Sequence, residues 1–184
     1  MLKQTLSRNT RGLSQLDIEG GGQIVVSDGY AYIGHMKPPH GTSIIDISDP
    51  AKPRVTARLE SSPWSHTHKV RVCGDIMITN VEQDRRHYLR SGLQRLTDAR
   101  KALTVSLGRG PEAGELAAEM GIDAAELSDL EAALQRGYDE GGFKVWDIND
   151  RSRPRLLSYQ RTHGFGVHRF DMDEIGRASC RERV

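Results

Sequence analysis

The chain has 184 residues, with 26 basic and 25 acidic side chains and a net charge of +1. That length holds one medium domain, or one carrying an insertion, and the charge balance excludes a general attraction to nucleic acid or to anionic membrane. No apolar run approaches the roughly 20 residues that span a bilayer, the opening MLKQTLSRNTRGL lacks the apolar stretch of a secretory signal, and Cys73 and Cys180 form neither a CxxC nor a disulfide framework, so the cytoplasm is the expected compartment.

Residues 1–22 carry no clear periodicity and are expected to be an N-terminal extension. From Gln23 onward, short segments rich in β-branched and aromatic residues predict strands over 24–27, 31–35, 43–47 and 54–60. Between the last two, SDPAKP supplies an Asp before a proline that pre-sets a turn. The chain then repeats itself. HKVRVCGDIMITN slides back 45 residues onto QIVVSDGYAYIGH without gaps, Gly74 on Gly29 and Ile78 on Ile33. Later, KVWDINDRSRP matches IIDISDPAKP, with Asp147, Asp150 and Pro154 on Asp46, Asp49 and Pro53. The second set of strands is expected over 69–72, 76–80, 143–148 and 155–159. A third unit opens at VHRFDMD. Four strands in about 45 residues is the size of a propeller blade.

The second unit is interrupted over 83–141 by a stretch rich in Leu, Ala, Glu and Arg, which predicts helices. Leu89, Leu93, Leu96 and Leu103 recur at helical intervals, Pro111 stands near a start, and Gly121 and Gly137 stand near stops. Residues 84–110 carry a net charge of +5 and residues 111–140 a net charge of −8. Opposite charges on neighbouring segments favour helices that fold on one another, and the acidic half argues against binding phosphates.

SIIDISDPAKP and FKVWDINDRSRP resemble the signature of LVIVD-repeat proteins, a bacterial β-propeller family of mostly unassigned activity. The resemblance implies a mainly β fold: an incomplete β-propeller over 23–173, two blades plus the start of a third, with the α-helical insertion at 83–141. Within that insertion, LGRGPEAGELAAEMGIDAAEL is similar to the helix-turn-helix of the third region of bacterial sigma factors. The closing EIGRASCRERV resembles a sequencing adapter translated in frame. It implies a non-native tail over 174–184 and a native protein that continues past Asp173.

The candidate site residues are histidines. His66 and His68 in PWSHTHKVRV are two apart and share a face if that stretch is extended, because side chains alternate along a strand. In a propeller the first strand of each blade lines the central channel, and the self-alignment makes Gln23, His68 and His168 one such ring. His163, in RTHGFG, is a fourth candidate on a glycine-flanked loop. Imidazole nitrogens from His66, His68, His163 and His168 suit zinc, copper or iron. The same residues equally serve as strand-end hydrogen bonders or as acid–base groups without metal. Ser65 should point away from His66, so no Ser–His pair is expected.

Repeat architecture without a specific catalytic motif predicts a scaffold that binds a protein or small-molecule ligand. The alternative is a metal-dependent enzyme, for example an oxidoreductase, with a histidine-lined channel site. A third reading, DNA association through the sigma-like insertion, is disfavoured by its charge. No membrane partner is expected, and open strand edges predict self-association.

Overall fold

A computed structural model describes residues 9–173 and 178–181, which form two compact units, 85–139 and the remainder. In the larger unit the strands β1 (Gly21–Ser27), β2 (Tyr30–His35), β3 (His40–Asp46) and β4 (Arg54–Glu60) make an antiparallel sheet in chain order. A second antiparallel sheet contains β5 (Ser65–His66), β6 (Val70–Cys73), β7 (Ile76–Gln83), β8 (Gly142–Asp147) and β9 (Arg155–Arg161). Its order is β5-β7-β8-β9, with β6 also paired to β7. β10 (Arg169–Met172) and β11 (Ala178–Arg181) pair separately. Of the expected non-native tail, 174–177 and 182–184 lie outside the described residues, as do residues 1–8 of the expected extension. No helix among the described residues is long and apolar enough to cross a membrane, which says nothing of membrane-spanning strands.

The two main sheets are copies, but their register corrects the sequence self-alignment by one residue. Ser27 pairs with Tyr30 in the first hairpin and Cys73 with Ile76 in the second, and Asp46 and Asp147 lie opposite Tyr30 and Ile76. Tyr30 therefore corresponds to Ile76, a shift of 46 rather than 45. The slip arose at the turns. Asp28-Gly29 and Gly74-Asp75 occupy equivalent two-residue loops, and the glycines fall at different positions of a turn that needs positive φ. Aligning glycine on glycine displaces the strands on both sides of the turn by one residue. A bulge between Ile44 and Ile45 recurs between Val145 and Trp146, as equivalence requires.

Corrected equivalence explains how the sheets stack. The face of the first sheet that carries Tyr32 and Ile44, both fully buried, meets Val70, Met77 and Ile148 of the second. The opposite face of the second sheet carries Ile78, Phe143 and Val145 and meets Val167, Phe170 and Met172 of the third unit. Each repeat thus covers the next in the same sense. The first sheet's remaining face holds Ala31, Ile33 and Ile45, packed by Leu16 and Ile18, and leaves Ile24 and Val26 exposed on β1. Val70 and Val72 are their counterparts. Val70→Lys should therefore cost at least about 3 kcal/mol by burying an unpaired charge, whereas Val26→Lys should stay within about 0.5 kcal/mol. Urea unfolding followed by tryptophan fluorescence would reveal equal costs if the stacking were otherwise.

The repeated Asp-Ile-x-Asp turns have a local cause. Asp46 accepts from the Ser48 backbone N–H at 3.0 Å and hydroxyl at 2.6 Å, and from Arg54 at 2.8 Å. These donors, Ser48 first, hold its carboxyl down to about 2. Asp147 accepts likewise from the Asn149 N–H at 3.0 Å and from Arg155 at 2.9 Å. Each aspartate closes one strand end and its connection.

The second unit consists of α1 (Arg86–Leu107), α2 (Ala113–Met120) and α3 (Ala124–Arg136) around Leu89, Leu96, Leu116, Met120, Leu127 and Leu130. Gly92 is needed for close approach, since a Cβ there would lie 2.6 Å from Leu130 Cδ1. Leu93, grouped with the apolar stripe by its spacing, is half-exposed. Gly121 in the left-handed region ends α2, and the Asp123 carboxylate accepts from the Glu126 N–H to start α3. Basic α1 meets the acidic helices through Arg100–Glu131 at 3.0 Å. The residues similar to a sigma-factor helix-turn-helix are α2, its turn and the start of α3.

Candidate metal centre

The site forms where β5 crosses β7. His66 lies directly opposite Glu82 in the antiparallel ladder, so both side chains project to one face. Glu82 is fully buried, and the His66 Nε2 to Glu82 Oε2 distance is 3.1 Å. His68, two residues on, turns its ring to the same side, with ring centroids 4.7 Å apart, and its Nδ1 is 3.6 Å from the same Glu82 oxygen. Ligand atoms of His66, His68 and Glu82 all lie within 4.8 Å of one another, and all three residues are buried.

His168 arrives from the third unit. Gly166, with φ of 88°, bridges to Glu82 so closely that a side chain there would meet the Val81 carbonyl. That approach brings His168 Nδ1 to 2.9 Å from Glu82 Oε2 and 3.1 Å from Oε1. Its ring lies 5.1 Å from that of His68 and is the most exposed of the cluster, at 21%. One buried carboxylate oxygen is therefore shared by three imidazoles.

A further set of partners fixes the rings. Asn80 accepts the Lys69 N–H through Oδ1 at 2.8 Å and donates through Nδ2 to the Val167 carbonyl at 2.9 Å, which sets its amide orientation. The same Nδ2 reaches His68 Nδ1 at 3.3 Å, so that nitrogen is an acceptor. Burial pushes the His68 pKa down to about 4, with the neighbouring His66 adding to the effect and Glu82 opposing it. Burial thus favours the neutral ring, whose Nδ1 lone pair accepts from Asn80. On His66, the Asp84 carboxylate lies 3.4 Å from Nδ1, on the side away from Glu82.

The first sheet supplies room rather than a ligand. Gly22 lies directly against His68. A Cβ on Gly22 would fall 3.0 Å from His68 Cβ. Gln23 instead donates its backbone N–H to the His68 carbonyl at 2.9 Å. The structure places His163 exposed in the turn before Gly164, apart from the three converging residues. His35 is a hydrogen-bonded strand-end residue, its Nε2 at 2.8 Å from the Ser43 hydroxyl and its Nδ1 on the Glu19 carbonyl. Ser65 turns from His66 to Glu140, 2.7 Å away.

Sequence reasoning missed Glu82 and Asp84 because it ended the second strand at Asn80 and began the helices at Gln83. The signal was present: in IMITNVEQ, Ile78, Asn80 and Glu82 continue the alternation of one face.

Two antiparallel sheets of equivalent register, stacked front to back, define a β-repeat protein. Residues 21–59, which correspond to β1 through β4, match the family model described as LVIVD repeat, a repeat associated with β-propeller-like folds. No curated protein matches the chain.

Proposed function

We propose that this chain is a propeller-type repeat scaffold whose function centres on a divalent transition metal held by His66, His68 and Glu82, with His168 at the open side. The observation that carries the reading is the convergence of three buried donors: ligand atoms of His66, His68 and Glu82 all lie within 4.8 Å of one another, gathered about one carboxylate oxygen. Ligand bonds of about 2.0 to 2.1 Å in a tetrahedral shell set donor separations of about 3.3 Å, and the His66–Glu82 and His68–Glu82 separations of 3.1 and 3.6 Å bracket that value.

Two imidazoles and one carboxylate suit zinc or ferrous iron, whereas calcium and magnesium prefer all-oxygen shells. Three protein donors leave a position open on the ion, the pattern of centres that support chemistry. On this reading the metal-dependent alternative gains over a purely passive scaffold. The propeller-type arrangement is supported by the common sense of stacking in successive repeats.

The test is elemental analysis of the chain after loading with zinc, iron or copper and desalting. About one ion per chain is expected, falling to background in His66→Ala with His68→Ala. Less than about a tenth of an ion per chain would sink the reading.

A further inference from the structure

We infer that Asp84 is the positioning residue of this centre: its carboxylate holds the Nδ1–H of His66 and so presents the Nε2 lone pair to the metal. This rests on the metal reading above and extends it to a residue that does not itself bind the ion.

His66 has two ring nitrogens, each beside a carboxylate: Nε2 is 3.1 Å from Glu82 Oε2 and Nδ1 is 3.4 Å from Asp84 Oδ1. A neutral imidazole carries one proton, and the carboxylate that accepts it dictates which nitrogen is left free. Nε2 is the atom that shares Glu82 Oε2 with His68, so ligation there requires the proton on Nδ1. Asp84 is placed to take that hydrogen bond. Its backbone N–H donates to the Trp64 carbonyl at 2.8 Å, continuing the β5–β7 ladder one step beyond the Ser65–Gln83 pair, so that Asp84 and Glu82 share a face. Its side chain is about a quarter exposed, at 24%, while Glu82 is at 1%. The two carboxylates thus differ in place: the buried one lies among the donor atoms, and the more exposed one meets only the far nitrogen of the His66 ring. Metal-ligating histidines commonly donate their second N–H to such a carboxylate, and losing it typically weakens metal affinity about 10- to 100-fold.

The experiment compares wild type, Asp84→Asn and Asp84→Glu in the full chain by zinc competition titration, cobalt(II) absorption and thermal melting without metal. Asp84→Asn should bind zinc about 10- to 100-fold more weakly while melting as wild type does in the metal-free state, and Asp84→Glu should recover much of the loss. Saturated cobalt spectra should keep their band positions, because the donor set is unchanged. Asp129→Asn, an equal change of charge on an exposed helical position, should leave affinity unaltered. Equal affinity in Asp84→Asn and wild type would overturn the inference, as would an equal loss in Asp129→Asn, which would mark a general charge effect. A shifted cobalt spectrum would also overturn it, making Asp84 a ligand. If wild type binds zinc and only the Asp84 comparison is flat, the metal reading stands and the positioning role falls. If wild type binds no metal, both fall.

Discussion

Glu82→Gln should leave a folded chain that binds zinc or iron more than about 100-fold more weakly than wild type, a larger loss than removing an orienting partner produces. Glutamine keeps the shape of the side chain and can still hydrogen-bond within the cluster, so the β5–β7 ladder has no steric reason to part. What disappears is the anionic oxygen common to His66, His68 and His168, at 3.1, 3.6 and 2.9 Å. A dication placed among neutral imidazoles in a buried site then has no charge to offset its desolvation. Glu140→Gln provides the control. That carboxylate accepts from the Ser62 and Ser65 hydroxyls, on the opposite face of β5 from His66, and its loss should not change metal affinity. Isothermal titration of the three proteins decides the matter. Undiminished affinity in Glu82→Gln would remove Glu82 from the donor set and with it the geometric case for the centre.

How much of this was legible beforehand follows from which physical signals are local. The strands were legible because their apolar alternation and Asp-Pro turns are local, and the ends of the observed β1–β4 and β6–β9 fall within three residues of the expected ones. The helical insertion was legible from composition, with α1, α2 and α3 inside 83–141. His66 and His68 announced themselves by spacing. Glu82 did not, because a charged residue at the end of an apolar strand ordinarily marks where the strand meets solvent. Here the ladder runs on to Gln83 because β5 adds a further pairing partner, and that long-range pairing has no local signature. The one-residue slip in the self-alignment had a similar cause: Gly29 and Gly74 look equivalent in sequence, and only hairpin register tells them apart.

Gly34→Ala should both destabilise the fold and disable the proposed centre, although Gly34 offers no side chain and lies one residue from the end of β2. The reason is space. A Cβ at Gly34 would run into the Thr67 carbonyl and come within 2.7 Å of the His68 carbonyl carbon. The atoms in the way are backbone and cannot rotate aside as the end of a side chain would. Gly34 is also fixed, paired to Thr42 of β3 on the same sheet face that buries Tyr32 and Ile44 against the second sheet. One of two things must move: β2, at the expense of the inter-sheet core, or the Thr67–His68 peptide, which carries one of the proposed ligands. Overpacking against backbone typically costs about 1 to 3 kcal/mol or more, and displacing a donor by about 1 Å defeats a site whose geometry is held to within about 0.5 Å. Gly114→Ala is the contrast. That glycine lies in α2 with nothing within 4 Å of its missing Cβ, so alanine there should be neutral or stabilising by up to about 1 kcal/mol. Urea unfolding together with zinc titration separates the outcomes. Loss of stability with unchanged zinc affinity would mean that β2 yields and His68 is held from elsewhere. Wild-type behaviour in both would mean that the close approach of the two sheets does not shape the site at all.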